Sequence, residues 1–291
     1  MKAPPFAYVR ARSATELFDV LDTHGAEAVI LAGGQSLVAS LNLRLSEPRV
    51  LVDITHLPDL SGITVAGGIV TVGALTRHAE IAVSDVIRTH VPLLAQAVQH
   101  VAHPAIRNRG TIGGSLALND PAAEYPAVTV ALAATMVVHG RTGMRRVPAA
   151  QFFQGIYATA LAPGELLASV EFPAQALGQR SVFLELARRH GDYAMVGLAA
   201  HGTMQDGRAS LLRLVFMAVG GGPFEARGTA AVACRGLLLE QIAPAQAALA
   251  DELQPSGDLN ASPATRLHLA RVLLGRALAK MAASMAAEMA A

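Results

Sequence analysis

The residues that could do chemistry form a glycine-rich segment near the middle of the chain, Thr111-Ile112-Gly113-Gly114-Ser115. Paired glycines let the backbone turn sharply and bring its N–H groups close to a ligand, because no Cβ stands in the way. Consecutive amides in such a turn form a concavity that favours an anion, and the Thr111 and Ser115 hydroxyls add donors. The segment therefore predicts a phosphate site, with an ordinary tight turn as the alternative.

A second segment of the same kind lies earlier in the chain. The β-type run Val29-Ile30-Leu31-Ala32 leads into Gly33-Gly34-Gln35-Ser36. Two such loops suggest one extended polyanionic ligand held from two sides, and a pyrophosphate-containing dinucleotide fits that description. Neither loop has the glycine spacing of a Rossmann fingerprint or of a P-loop. We therefore expect a dinucleotide site on some other fold.

Taken with their flanks, both segments resemble the flavin-loop signatures of a known family. The matching stretches are Leu31–Leu37 and Ile106–Ser115, and the likeness runs from Phe6 to the region around Arg271. The family is the FAD-binding medium subunit of the molybdenum hydroxylases, which include carbon monoxide dehydrogenase and bacterial xanthine dehydrogenase. The resemblance implies that the FAD pyrophosphate and ribityl chain lie against Ala32, Gly33, Gly34, Gln35, Ser36, Thr111, Ile112, Gly113, Gly114 and Ser115.

Three further residues match family positions near the FAD. Glu124 matches an acidic position whose carboxylate accepts hydrogen bonds from FAD hydroxyls, and the alternative is a first-turn carboxylate favoured by a helix dipole. Leu166 matches an apolar position whose backbone and side chain lie against the isoalloxazine ring. Tyr193 matches a residue near the flavin in carbon monoxide dehydrogenase-like members, and the alternative is a half-buried strand tyrosine.

The chain departs from the family pattern just before its paired arginines. Many members carry a lysine there, where a cation can stabilise the reduced, anionic flavin, but this chain has Leu184-Glu185-Leu186. How the reduced flavin is stabilised is therefore open, with Arg188 or Arg189 as a substitute. Arg189 fits equally well as a surface ion-pair partner of Asp192.

The resemblance implies an α+β fold. Residues 1–176 would form a two-part FAD-binding domain of the vanillyl-alcohol oxidase / p-cresol methylhydroxylase type, with subdomains near 1–55 and 56–176. Residues 177–291 would form a carboxy-terminal domain of the carbon monoxide dehydrogenase flavoprotein type. We expect that domain to combine a three-stranded antiparallel sheet with a helical bundle.

Local patterns predict the elements that must position the loops. Ser13 and Glu16 have capping-box spacing and begin a helix that Gly25 ends. Gly67-Gly68 predicts the turn of a hairpin, because both glycines can adopt the positive φ that it needs. Residues 75–102 predict helix broken near Pro92. Further strands are expected over 50–54, 136–139, 144–147, 166–173, 181–187, 194–204 and 209–219, and further helices over 126–134, 224–239, 244–253 and from 263 past 280.

Composition limits the classes of protein and site that fit. Charged residues make up only 15% of the 291 positions, so we expect partner subunits to cover part of the surface. The net charge of +1 gives no nucleic-acid footprint. The single Cys234 excludes an intrachain disulfide and an iron–sulfur cluster built on several thiolates of this chain. We assign no catalytic residue and no metal ligand, because no nucleophile–base pair or histidine spacing indicates one.

The resemblance implies an electron-transfer oxidoreductase subunit. A molybdopterin large subunit would oxidise the substrate, and a small subunit with [2Fe–2S] clusters would pass electrons singly to this FAD, in a dimer of heterotrimers. The acceptor is open between NAD, a quinone and oxygen, and the substrate lies in another polypeptide. We expect a cytoplasmic location, with a peripheral position at the inner face of the membrane left open.

A stand-alone FAD oxidase or reductase of the same fold is the main alternative. It would need its own acid–base residues over the flavin, and the sequence does not indicate them. A subunit that has lost its flavin is a third reading, which both intact glycine loops oppose. The first loop contains no histidine or cysteine, so we expect the FAD to be bound non-covalently.

Overall fold

The computed structural model describes residues 2–289 and the side chains of residues 2–283. Its first unit is a small parallel sheet, in the strand order β1-β3-β2, covered by a helix. Ser13 caps that helix, because its hydroxyl accepts a hydrogen bond from the Glu16 amide at 3.1 Å. The elements are β1 Ala7–Arg10, α1 Ala14–His24, a 3-10 turn Gly25–Glu27, β2 Ala28–Leu31, α2 Leu37–Asn42 and β3 Val50–Asp53.

The second unit is a five-stranded antiparallel sheet with short helices packed on it, in the order β4-β5-β10-β6-β7. Its central strand β10 is the last to occur in the chain, so the sheet is complete only at residue 173. The strands are β4 Ile63–Ala66, β5 Ile69–Gly73, β6 Thr135–Gly140, β7 Gly143–Pro148, β8 Phe153–Gly155, β9 Ala158–Thr159 and β10 Leu166–Pro173. The helices are α3 His78–Val83, α4 Asp85–His90, α5 Pro92–Ala97, α6 Pro104–Arg107, α7 Ile112–Leu118, α8 Glu124–Ala131 and α9 Ala149–Phe152.

The third unit is an antiparallel sheet in the order β11-β12-β13-β14, backed by three helices. Its two faces pack on different cores. Phe183, Ala199 and Val215 lie side by side and join the core of the second unit, whereas their neighbours Val182 and Leu214 join the core of the helices. The elements are β11 Gln179–Ala187, β12 Ala194–Gln205, β13 Arg208–Met217, β14 Phe224–Glu225, α10 Arg227–Ala233, α11 Ile242–Glu252 and α12 Pro263–Met289.

Several local predictions are confirmed and others need correction. The hairpin about Gly67-Gly68 and the cap at Ser13 are present. The segment expected to break once at Pro92 breaks at Ser84 as well, because Ser84 ends α3 and caps α4. The helix expected over 224–239 covers only Arg227–Ala233, because Phe224 instead joins the sheet as part of a fourth, two-residue strand. None of the helices that the structure describes is long and apolar enough to span a membrane.

Gln96 on α5 joins the second unit to the half-buried edge strand β11. Its Nε2 donates to the Ser181 carbonyl at 3.1 Å, and its Oε1 accepts from the Phe183 amide at 2.9 Å. An edge strand has unpaired backbone groups, and this side chain satisfies two of them. The link therefore fixes the sheet at the side where β11 faces the second unit.

We expect Gln96→Ala to lower the free energy of unfolding by about 1–3 kcal/mol, because two hydrogen bonds to a half-buried strand edge are lost. Gln99→Ala is the matched control, since Gln99 is exposed and follows closely in the chain. Its effect should stay within about 0.5 kcal/mol. Chemical denaturation of both variants measures the difference, and equal values would show that the link does not stabilise the chain.

Candidate FAD site

The first glycine loop has the geometry of an anion cradle. It follows the carboxyl end of β2, and Gly34 has φ of 72°, a conformation that favours glycine. Within the part of the chain that the structure describes, the backbone amides of Gly33, Gly34, Gln35 and Ser36 donate to no acceptor, and the Gln35 side chain donates to the Gly33 carbonyl at 3.2 Å. The carbonyls of Gly34 and Ser36 instead accept from Val38 and Ser40 at the start of α2. The loop therefore leaves four backbone amides without an acceptor in the described chain.

The second glycine segment differs from its prediction. Ile112 to Ser115 form the first turn of α7, and Thr111 is the cap, with its hydroxyl accepting from the Gly114 amide at 3.1 Å. The Ile112 amide donates to Thr76 at 3.1 Å, that of Gly113 to Ala74 at 2.8 Å, and that of Ser115 to Thr111 at 3.1 Å. The expectation of free amides here is wrong, because neighbouring carbonyls and the cap accept all four. The groups of this segment that can still donate are the hydroxyls of Thr111, which is buried, and of Ser115, which is half-buried.

The two segments meet although they lie far apart in the chain. A Cβ added at Gly33 would stand 2.3 Å from the Arg109 carbonyl oxygen and 2.8 Å from the Gly110 Cα. A Cβ at Gly113 would stand 2.4 Å from the Ala74 Cβ. Gly33 thus permits contact between the loops, while Gly113 permits close packing of α7 against the end of β5. The first loop and the approach to the second segment are therefore neighbours in the fold.

His78 contacts the backbone that leads into the second segment, and no motif in the sequence indicated it. Its amide donates to the Gly110 carbonyl at 3.0 Å, and its ring Nδ1 lies 3.1 Å from the Tyr125 hydroxyl. Burial, with a smaller effect of Arg107, lowers the pKa of His78 to about 4, so the imidazole is neutral at neutral pH. His78 and Tyr125 do not share a helix or strand, so no spacing in the sequence indicates this pair.

Beyond the far end of α7 lies a group of acidic and phenolic side chains. α7 rises about 1.5 Å per residue, which separates Asp120 from the first turn by roughly 10 Å. Burial raises the pKa of Glu124, the first residue of α8, to about 7, and Asp120 adds to the shift. The pKa of the Tyr193 phenol is raised by partial desolvation of its hydroxyl, although the residue as a whole is exposed, and then by the charges of Asp120, Tyr157 and Glu124. The structure therefore groups Glu124 with Tyr193, and adds Asp120 and Tyr157, which the sequence did not single out.

Leu166 lies in a different environment from Tyr193. Leu166 begins β10 opposite His139 and is only 3% exposed. Its side chain packs in the core of the first unit, together with Val52 and Leu75. Contact between Leu166 and the isoalloxazine ring remains a prediction. Two cavities of about 360 and 370 Å³ both adjoin Phe153 and include none of the predicted FAD residues.

Comparison with known families accounts for both halves of the chain. Residues 4–175 match the FAD binding domain in molybdopterin dehydrogenase, and residues 181–281 match the CO dehydrogenase flavoprotein C-terminal domain. The chain is an FAD-binding medium subunit of the molybdenum hydroxylase family. It is therefore an oxidoreductase subunit, and its cofactor is FAD.

Curated relatives of this medium subunit cover most of its length. The 6-hydroxypseudooxynicotine dehydrogenase complex subunit alpha of Paenarthrobacter nicotinovorans is 38% identical over 290 residues, which cover 96% of this chain and 95% of the relative. The carbon monoxide dehydrogenase medium chain of Hydrogenophaga pseudoflava is 39% identical over 199 residues, which cover 68% of this chain and 69% of the relative. These relatives are chains of multi-subunit complexes.

Solved structures agree with the fold of the medium subunit. A chain of quinoline 2-oxidoreductase from Pseudomonas putida 86 superposes with a TM-score of 0.92 at 38% identity, covering 98% of this chain and 99% of that one. A chain of carbon monoxide dehydrogenase from Hydrogenophaga pseudoflava also has a TM-score of 0.92, at 34% identity, covering 96% and 97% of the two chains. The α+β architecture with its FAD-binding and carboxy-terminal domains is thus confirmed.

The residues of the medium subunit fit an FAD diphosphate. Consecutive backbone amides without acceptors at Gly33 to Ser36 are what a phosphate requires of a backbone. The half-buried carboxyl of Glu124 can bond a hydroxyl of the cofactor, as acceptor or, when protonated, as donor. The structure describes no cluster of three or more histidine, cysteine, aspartate or glutamate side chains placed to hold a metal ion.

We expect Gly33→Ala to abolish FAD retention, because its Cβ would force the first loop away from Arg109 and Gly110. Gly67→Ala is the control, since Gly67 has positive φ, 56°, and no atom within 4 Å of its added Cβ, whereas Gly33 lacks positive φ and its Cβ would collide with backbone. The control therefore carries the turn strain without the collision, so loss of FAD in Gly33→Ala alone would come from the loop contact. The FAD-to-protein absorbance ratio of the purified chains measures the outcome, and full occupancy of Gly33→Ala would contradict the loop assignment.

We expect Glu124→Ala to weaken FAD affinity by about 1–3 kcal/mol if its carboxyl bonds a cofactor hydroxyl. Glu124→Gln should retain part of that affinity, because an amide can still accept or donate a hydrogen bond. Titration of the apo chain with FAD, followed by flavin fluorescence, gives both dissociation constants. Unchanged values would leave Glu124 as a helix-start carboxylate only.

Proposed function

We propose that this chain is the electron-transferring FAD subunit of a molybdenum hydroxylase. It receives electrons singly from [2Fe–2S] clusters of a small partner subunit and passes them to an external acceptor. The observation that carries the proposal is the first glycine loop, which has four backbone amides without an acceptor and contacts the backbone of Arg109 and Gly110. Bound FAD supplies the ability to store one or two electrons.

The residues of the chain hold, orient and shield the cofactor. Amides of Gly33 to Ser36 bind the diphosphate, and hydroxyls of Thr111 and Ser115 add polar contacts. Glu124 orients the chain of hydroxyls between diphosphate and ring. Tyr193, exposed at 74%, lies by the acidic group, where it can cover the ring and limit access of water.

The relatives and the sparse charge support the proposed partner subunits. The names of relatives include medium chains, a medium subunit and a subunit of a dehydrogenase complex, which supports a small iron–sulfur subunit and a large molybdopterin subunit here. The proposed assembly is a dimer of such heterotrimers in the cytoplasm, or at the inner face of the membrane. The acceptor is NAD, a quinone or oxygen.

The test is to purify the tagged chain from its own cells and to follow electron flow. We expect a yellow complex containing a two-cluster iron–sulfur polypeptide and a molybdenum-containing polypeptide. After cluster reduction, flavin absorbance should bleach as the cluster signal recovers. The Gly33→Ala chain is the control, since its complex should retain reducible clusters but transfer no electrons to the acceptor.

Other results would contradict the proposal in distinct ways. A yellow chain that purifies alone and turns over a substrate by itself would indicate a stand-alone oxidase or reductase. A colourless chain would contradict FAD binding. Electron transfer to the acceptor at the normal rate in the Gly33→Ala complex would remove this FAD from the path.

A further inference from the structure

Glu185 lies on the face of the third sheet that packs against the second unit. Its cross-strand neighbours on that face are Gly197 on β12 and, one strand further, Met217 on β13, which joins the core of the second unit. Leu184 and Leu186 point the other way and pack on the carboxy-terminal helices. Of these three consecutive residues, only Glu185 therefore faces the FAD-binding part.

The Glu185 carboxyl is buried and incompletely paired. Its side chain is 4% exposed, and its buried Oε2 has no hydrogen-bond partner in the part of the chain described. The nearest basic group is His100, whose Nδ1 lies 3.9 Å from Oε2. In the described residues no lysine or arginine lies within ion-pair distance of Glu185. A buried carboxylate without a cation is costly, so the carboxyl favours its protonated form.

The groups around Glu185 also favour the protonated form of its carboxyl. β12 presents Gly197 opposite it, α12 packs on the other face of β11, α8 presents Glu124, and the segment after α5 presents His100. Burial, and secondarily Glu124, raises the pKa of Glu185 to about 8. Burial and His190 lower the pKa of His100, so this histidine is not a fixed cation either.

We propose that Glu185 is a redox-linked proton site, which binds a proton when the FAD is reduced and so balances the negative charge that the flavin gains. The proposal rests on the proposed function, because it requires FAD beside the acidic group that Glu124 belongs to. A reduced flavin carrying one added proton is an anion. A second anion at Glu185 would repel it, and protonation of Glu185 removes that repulsion.

Protons and electrons balance in this step. Above about pH 8, where Glu185 is ionised beside oxidised FAD, a one-electron iron–sulfur donor supplies two electrons in turn. One proton binds the flavin, and one proton binds the Glu185 carboxylate. Water supplies the second proton on the side of His100, whose side chain is 34% exposed and stacks on the exposed His190 with 6.4 Å between ring centroids. Re-oxidation of the flavin returns both protons.

The test is the pH dependence of the FAD midpoint potential in the full chain, titrated with a chemical reductant and mediators. One extra proton per two electrons steepens the fall of the potential by about 30 mV per pH unit. Above about pH 8.5, where the carboxyl is ionised beside oxidised FAD, the wild-type potential should fall by that much more than the potential of Glu185→Gln. Near pH 6 the carboxyl is protonated in both redox states, so the slopes should coincide.

Two further variants control the test. Glu240→Gln removes an exposed carboxyl elsewhere on the chain and should match the wild type at every pH. Glu185→Asp keeps an ionisable carboxyl and should keep the extra slope. Equal slopes for the wild type and Glu185→Gln across the whole range would overturn the proposal.

Infrared spectroscopy of the wild type decides the matter if Glu185→Gln does not fold. Reduction at about pH 9 should add the C=O band of a protonated carboxyl, and this band should shift in D₂O. Its absence would overturn the assignment. These readouts use a chemical reductant, so they are independent of the partner: failed cluster-to-flavin transfer with a normal slope difference would contradict the proposed function and not the role of Glu185.

Discussion

The contact between two stretches of backbone at Gly33 is the constraint on which the cofactor site depends. Arg109 and Gly110 approach so closely that a side chain at Gly33 has no room. The amides of the first loop remain free because their peptide carbonyls, and not their N–H groups, continue into α2. The first glycine loop therefore supplies backbone donors, whereas the second segment supplies hydroxyls on backbone that is already hydrogen-bonded. The two segments differ in role although their sequences are similar.

The sequence predicted what local chemistry decides and missed what tertiary contact decides. Ser13 and Gly67-Gly68 behave as predicted, because a cap and a positive-φ turn are specified within a few residues. Thr111 to Ser115 look like a loop, since glycines disfavour helix. Neighbouring carbonyls of Ala74 and Thr76 nevertheless hold this segment as the first turn of α7. Tertiary packing overrides propensity at that point.

Residues around the acidic side chains also show the difference between what local sequence specifies and what tertiary contact specifies. His78 and Tyr125 come together only in three dimensions, and neither has a spacing that marks it beforehand. Glu185 had a readable signal, because Leu184 and Leu186 on a strand require the residue between them to face the opposite side. The sequence did not indicate which core this face of β11 packs against. The answer depends on Gln96, whose side chain bonds the edge of β11 to α5.

The third sheet supplies side chains to two cores at once, and its strands occur late in the chain. Val215 and Met217 fill space beneath helices that were synthesised long before them. Contacts between distant parts of a chain form slowly, because a large loop must close first. A nascent polypeptide therefore lacks part of the core of its FAD-binding half until β13 has emerged. We expect FAD to bind stably only after that point, and to require an intact carboxy-terminal half.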